Sequence, residues 1–248
     1  MGTADAWRIE HHQTIGSTND EAQLRLGNPS SGGQVIVADE QTAGSGRRGR
    51  RWIAPPRSGL LFTAILPKAV PASSAWGVTF WTGLAVADAL GRWNVRPTLQ
   101  WPNDVLVEGR KLCGILCISR IVGDLATLAC GVGINVHRPQ NRPDLDAIAP
   151  PPIFLDDVAV LGEDARDELL AEILRAFQRR LPSLNDPDEI AREWERRAEL
   201  PLSYHFTFEG AGRLEGVALR LAHGGGLVVR EPGGERTVEL ADAVRVVR

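Results

Sequence analysis

What the 248-residue chain lacks narrows it before anything it contains. No apolar run approaches the roughly 18–20 residues needed to cross a bilayer as a helix. The opening stretch MGTADAWRIEHH has no charged-then-apolar leader pattern. Cysteine is scarce and odd in number: Cys113, Cys117 and Cys130 are the whole set, each in an apolar, strand-like run. They read as core thiols rather than a disulfide framework or a metal set. With no leader and no oxidising framework, the chain is expected in the cytoplasm. A net charge of −3 argues against a protein whose main task is gripping nucleic acid. There is no GxxxxGK[ST] phosphate loop, no internal repeat and no low-complexity tract. The remaining composition, 43% hydrophobic and 24% charged, is that of a water-soluble chain with enough apolar mass for a sizeable core.

Against that background one stretch stands apart. Gly44 to Trp52 reads GSGRRGRRW, three glycines and four arginines closed by a tryptophan. Glycine lets backbone approach a ligand closely, and guanidinium forks fit phosphate and carboxylate oxygens. The stretch reads as a loop that closes over a small polyanion, hung from the strand QVIVADE (residues 34–40). It also matches GxGxxG, but that fingerprint must open a helix. Here Arg50, Arg51, Trp52, Ile53, Ala54, Pro55 and Pro56 follow, which is no apolar helix start and argues against a dinucleotide site. A basic nucleic-acid loop with a stacking tryptophan is the alternative from another functional class.

The rest of the chain reads in order. Ser17 and Thr18 are candidate caps of a short helix ending near Leu26, and with Asn19 they are equally a cluster able to hydrogen-bond a small polar ligand. Residues 59–66 form an apolar strand, and residues 75–93 a helix apolar on most faces, hence buried. A strand breaks at Pro102, and Asn103 and Asp104 start a turn. Residues 105–119 form a hairpin with Glu108-Gly109 at its tip, and Lys111, just past the tip, is poised to face into the sheet or to sit at an edge. Gly131 and Gly133 thin a buried strand where a ligand can approach, and Asn135 ends it. A Pro-rich loop spans 138–162, an amphipathic helix 164–181, and a second helix begins at Asp186 and Pro187. From Pro201 short alternating strands predict a small closed β-barrel.

In their order along residues 14–138, STN, EQTAGSGRRGRRW, WPNDVLVEGRKLCGIL and GVGINVHRP resemble the biotin–protein ligases. The resemblance implies an α+β fold. A mixed-sheet catalytic domain with packed helices, of the class II aminoacyl-tRNA synthetase-like kind, spans 1–200, and a small SH3-like barrel spans 201–248. It implies biotin and ATP as substrates, Mg²⁺ as helper, and a carboxylase biotin carrier domain as acceptor, through a biotinyl-adenylate. Lys111 and Arg47 are the implied catalytic cations. Ser17, Thr18, Asn19, Gln41, Ser45, Gly46, Arg47, Lys111, Gly114, Leu116 and Gly131 are implied on biotin, with Gly59 to Phe62 and Gly133 completing the apolar slot. Arg47, Arg48, Arg50, Trp52, Asn103 and Asn135 are implied on the nucleotide, and Asp104 on the metal. The loop 43–52 is expected to order over the adenylate.

Two positions depart from the family pattern: Gln100 precedes WPND where lysine is common, and Ser45 stands where many members have arginine. Because the motifs begin at residue 14, no DNA-binding domain and no operator binding are expected. No membrane is involved, and an exposed strand of the catalytic sheet would serve a homodimer or the carrier. A lipoate ligase or octanoyl transferase is the related alternative.

Overall fold

A computed structural model describes residues 7–140, 152–208, 212–239 and 243–247. Two sheets organise it. The larger contains β1 (Arg8–Ile15), β2 (Gln34–Gln41), β3 (Gly59–Ile65), β4 (Val70–Pro71), β5 (Thr98–Gln100), β6 (Asp104–Val107), β7 (Arg110–Val122) and β8 (Leu125–Asn135). Its order is β1-β2-β3-β8-β7-β6-β5, with β4 paired to the start of β8. The β1–β2 pair is parallel and the rest antiparallel, so the sheet is mixed. With α1 (Thr18–Arg25), α2 (Val78–Leu90), α3 (Ala165–Arg180) and α4 (Pro187–Arg197), the fold is the expected α+β class.

Side-chain alternation divides the work of the two faces. Along β8, Cys130, Val132 and Ile134 belong to the main core, whereas Ala129 joins Ala22 and Leu26 of α1 on the opposite face. The main core lies under the helices, where the Trp81 and Phe177 rings are 4.8 Å apart and Phe62 meets Phe177 at 6.5 Å. Asp88, Arg180, Glu193 and Arg197 lace α2, α3 and α4 together. Arg180 reaches Asp88 and Glu193 at 2.7 Å each, and Arg197 reaches Asp88 at 2.8 Å. Hydrogen bonding to Arg180 holds the Glu193 carboxyl below its ordinary value despite burial.

β1 was invisible to sequence reasoning. RIEHHQTI has no apolar alternation because the strand is an edge and largely exposed. The 108–109 tip is where it was expected, with Glu108 and Gly109 both at positive φ (52° and 70°), as a two-residue hairpin turn requires.

The second sheet joins β9 (Leu202–Phe208), β10 (Gly212–Leu221), β11 (Leu227–Glu231), β12 (Gly234–Val238) and β13 (Ala243–Val247) in the order β12-β11-β10-β9-β13. Among the described residues it is open, with β12 and β13 as its edges, rather than the closed barrel that strand alternation suggested. Alternation reports which face is buried but not whether the first and last strands meet. Register shifts in β10 and β13 bend the sheet. Its Tyr204, Phe206, Leu227 and Val229 enter the same core as the helices.

Candidate active site

The α1-facing side of β7 and β8 has been stripped of side chains where the two strands run together. Gly114 lies directly opposite Gly133, and Leu116 opposite Gly131. A Cβ at Gly114 would fall 2.8 Å from the Trp52 ring, and one at Gly133 2.6 Å from it. One at Gly131 would collide with Asn19 Oδ1 and stand 2.6 Å from the Leu116 carbonyl. These glycines are required by close approach, not by turns. The reverse face stays packed by Cys113, Ile115 and Cys130. All three cysteines are free thiols, as expected, and burial pushes the Cys113 and Cys130 thiols up.

One wall of this trough is the start of α1. Ser17 caps the helix, its Oγ accepting from Asp20 N at 3.4 Å, so the cap reading holds. The ligand-cluster reading gains support from the next two residues. Thr18 donates from both N and Oγ1 to Gln41 Oε1, at 2.7 and 3.0 Å. Asn19 Nδ2 donates to the Leu116 carbonyl at 2.9 Å. Thr63 Oγ1 lies 2.9 Å from Thr18 Oγ1 and 2.7 Å from Asn19 Oδ1. A hydroxyl has one proton, so Thr63 serves one of them at a time. Ser17, Thr18, Asn19 and Thr63 are all buried. Thr63 was missed in the sequence, where its only signal is a lone hydroxyl inside the apolar run GLLFTAIL.

The opposite wall is the arginine loop. It folds on itself through a Ser45–Arg51 bridge, with Gly46 N donating to Arg50 O at 2.6 Å and Trp52 N to Gly44 O at 2.9 Å. A 3₁₀ turn at Arg47–Gly49 places Arg48 at φ 55°. The loop delivers the Trp52 indole onto the glycine floor, where its Nε1 is buried without a hydrogen-bond partner among the described residues. Arg47 is half-buried, whereas Arg48, Arg50 and Ser45 are exposed. Burial first, then the charges of Arg50 and Arg48, lower the pKa of Arg47, and Asp104 opposes that shift. Arg51 donates to the Thr42 carbonyl at 2.9 Å, tying the loop to the end of β2.

Lys111 closes one end. Its Nζ stands 2.7 Å from Asp104 Oδ1 and 5.6 Å from the centre of the Trp52 ring. The Asp104 contact is an ion pair outside hydrogen-bond geometry, so the attraction there is coulombic. Lys111 thus faces the trough, not the bulk solvent of an edge strand. Two asparagines brace it. Asn135 Nδ2 lies 3.2 Å from the Lys111 carbonyl, and Asn103 Nδ2 donates to the Ile115 carbonyl at 2.7 Å. Asn135 spends its amide donors on the Lys111 and Ile153 carbonyls, and Asn103 spends one of its two on the Ile115 carbonyl. Gln100 is buried on β5. Among the described residues no three His, Cys, Asp or Glu side chains gather as a metal cage.

The site therefore brings together a neutral, largely buried hydrogen-bonding end, an apolar floor of backbone, and an end where Asp104 holds Lys111 and its charge reaches Arg47. Such a site can hold a small amphipathic acid with its carboxylate at the cations, beside a phosphate.

Comparison with known proteins gives the family. Residues 10–135 match the model of the biotin/lipoate A/B protein ligase family. The chain is 33% identical over 239 residues to a biotin–[acetyl-CoA-carboxylase] ligase of Paracoccus denitrificans, covering 91% of this chain and 95% of that one. A ligase of the same name from Mycobacterium tuberculosis is 32% identical over 73% of this chain and 67% of its own length. In fold the chain is similar to a biotin protein ligase from Aquifex aeolicus, solved in complex with biotin and ATP. The TM-score is 0.76 at 24% identity, over 97% of this chain and 99% of that one. The match to the family model and the near full-length relative establish that this chain belongs to the biotin/lipoate A/B protein ligase family.

Proposed function

We propose that the chain is an ATP-dependent biotin–protein ligase. The observation that carries this reading is the pairing, across one glycine floor, of the largely buried Thr18–Asn19–Gln41–Thr63 network with the cations Lys111 and Arg47, both of which feel the Asp104 charge. The network suits a neutral ureido ring, which presents both N–H donors and a carbonyl acceptor. The backbone floor suits a thin bicyclic ring and its aliphatic tail. The cations suit the carboxylate at the tail's far end.

In the first step the biotin carboxylate oxygen attacks the α-phosphorus of ATP, the bond to the bridging oxygen breaks, and pyrophosphate leaves. Two anions must meet, so fixed positive charge in a water-poor site is the main requirement. Lys111 Nζ is positioned to touch the carboxylate and the transferring phosphoryl oxygens together, and Arg47, Arg48 and Arg50 to take the remaining phosphate charge. Asp104 is a fitting single carboxylate ligand for Mg²⁺, which takes its other ligands from phosphate oxygens and water. That ion supplies charge neutralisation when bound. Asn135, with its amide donors committed, would meet a nucleotide through Oδ1, and Asn103 through Oδ1 or its second N–H. In the second step a lysine amine of a carboxylase carrier domain attacks the acyl carbon, the anhydride bond breaks, and AMP leaves. The Gly44–Trp52 loop, ordered over the adenylate, would keep water from that anhydride.

The same reading takes residues 1–200 as the catalytic domain and 201–248 as a small domain of the SH3-like type, supported by its five short, bulged strands. The exposed β1 edge is the natural surface for a carrier segment or a second copy. No helix among the described residues is long and apolar enough to cross a membrane, and a cytoplasmic site for the reaction suits its free thiols.

The test is exchange of labelled pyrophosphate into ATP. Exchange that requires biotin and collapses in Lys111→Ala is expected. Exchange driven by lipoate or octanoate but not biotin would change the substrate, and no exchange with any of these acids would refute the activity.

A further inference from the structure

The ATP half of the site is held from behind by the second sheet. Trp101 is fully buried at the end of β5, and its indole Nε1 donates to the carbonyl of Gly225 at 2.9 Å, across 124 residues of sequence. Its ring also meets Phe206 edge-on, at 6.1 Å and 72°. Gly225 lies in the turn between β10 and β11, a run of three glycines in which Gly224 and Gly225 both sit at φ 86°. The turn is closed by Ala222 N to Gly226 O at 2.7 Å and by Gly225 N to Ala222 O at 3.0 Å. Two further contacts grip it from the catalytic side. Trp76 meets the His223 ring at 5.6 Å, and Glu195 of α4 accepts from Leu221 N at 2.6 Å. The anchor buries Gly225 and Gly226, while His223 and Gly224 stay exposed.

What the anchor holds is the segment that leads into the cationic end of the site. Asn103 and Asp104 follow Trp101 by two and three residues. Asn103 pairs with Ile115 in both directions, by side chain at 2.7 Å and by backbone at 3.0 Å. Asp104 opens β6 and holds Lys111. The hydrogen-bonding network instead rests mainly on α1, β2 and β3, which β8 and β7 separate from β6 and β5 in the sheet order, and it meets β7 only where Asn19 donates to the Leu116 carbonyl. A shift of Trp101 therefore reaches Asp104 and Lys111 directly and the ureido-binding end at a single point, the Leu116 carbonyl on β7.

We propose that Trp101, through its hydrogen bond to Gly225, is a positioning residue for the nucleotide half of the reaction, and that the 222–226 turn is the part of the second sheet through which this control acts. The proposal rests on the ligase reading above. Trp101→Phe keeps an aromatic ring against Phe206 and deletes only the N–H. It leaves the buried Gly225 carbonyl unsatisfied, and the lost bond should raise the KM for ATP by about five- to tenfold. The KM for biotin should rise by less than that for ATP, since only its carboxylate, at Lys111, lies on the segment Trp101 leads into.

A second variant reaches the same carbonyl from the other side. Gly224→Ala places a side chain at a positive φ that glycine tolerates and alanine does not, with open space around the added methyl. It should raise the KM for ATP in the same sense without touching any residue of the site. Both variants are assayed by biotin-dependent pyrophosphate exchange in the full chain, beside thermal denaturation. An ATP-selective rise in KM in both variants is the expected result. Equal rises for ATP and biotin, or a lowered melting temperature with both KM values unchanged, would make Trp101 a structural residue only and overturn the proposal. Absence of exchange in the wild type would instead defeat the ligase reading and is scored separately.

Discussion

Replacing Asp104 by asparagine should separate the two substrates of the site in opposite directions. In the ligand-free chain Asp104 is the counter-ion of Lys111, at 2.7 Å. If the biotin carboxylate takes the other side of Nζ, two carboxylates end about 5 Å apart, a repulsion of roughly 3 kcal/mol at an effective dielectric of about 20. Lys111 and Asp104 keep 27% and 17% of their side-chain surface exposed, so solvent and salt reduce this to about 1 kcal/mol. Asp104→Asn keeps the shape and an acceptor oxygen while deleting the competing charge. Biotin should then bind about fivefold more tightly in calorimetry without nucleotide. The gain should fade as sodium chloride is raised to about 0.5 M, where the screening length is only a few ångströms. Pyrophosphate exchange with saturating biotin should fall by roughly ten- to hundredfold in the same variant, because a carboxylate fitted for Mg²⁺ is gone. Weaker biotin binding in Asp104→Asn would refute the competition argument and leave Asp104 as a brace that orients Lys111.

Gly131→Ala places a methyl against Asn19 Oδ1 and the Leu116 carbonyl. It should abolish biotin binding, measured by calorimetry, while circular dichroism stays native. Arg180→Met removes the cation shared by Asp88 and Glu193. It should cost about 3 kcal/mol in urea unfolding at pH 7, since partly buried carboxylates lose their partner. Glu193 titrates below its ordinary value when folded, so the stability it contributes is present above that ordinary value and is lost as pH falls through the folded value. The wild-type excess over Arg180→Met should therefore narrow between about pH 5 and pH 3. A constant difference across that range would place the effect in packing instead.

The parts of the site governed by local rules were legible in the residues. The cap at Ser17, the tip at Glu108-Gly109 and the thinning of β8 at Gly131 and Gly133 each depend on one residue and its immediate neighbours. The place of Lys111 just past a turn left it free to face into the sheet or to sit at an edge, and the fold turns it to the trough. What was not legible depends on partners far away in the chain. Thr63 looks like one hydroxyl in an apolar strand until β3 brings it beneath α1, 45 residues from Thr18. β1 carries neither apolar alternation nor turn signals, since an exposed parallel edge needs none. Among the described residues the last five strands stay open, not closed as expected, and the bends in β10 and β13 leave no compositional mark. The Trp101–Gly225 bond joins two segments whose local sequences have no reason to be read together.

The floor of the trough exists by omission. Gly114, Gly131 and Gly133 contribute no atoms beyond the backbone, so the surface they present is generic and the selectivity resides in what stands around them. Such a surface has an asymmetric evolutionary landscape. Any single substitution at these three positions only adds bulk, which fills the slot in one step, whereas none can trim it to fit a wider acid. Retuning this chain toward another substrate would have to begin in the walls, at Thr18, Asn19, Gln41 and Thr63, with the floor left as it is.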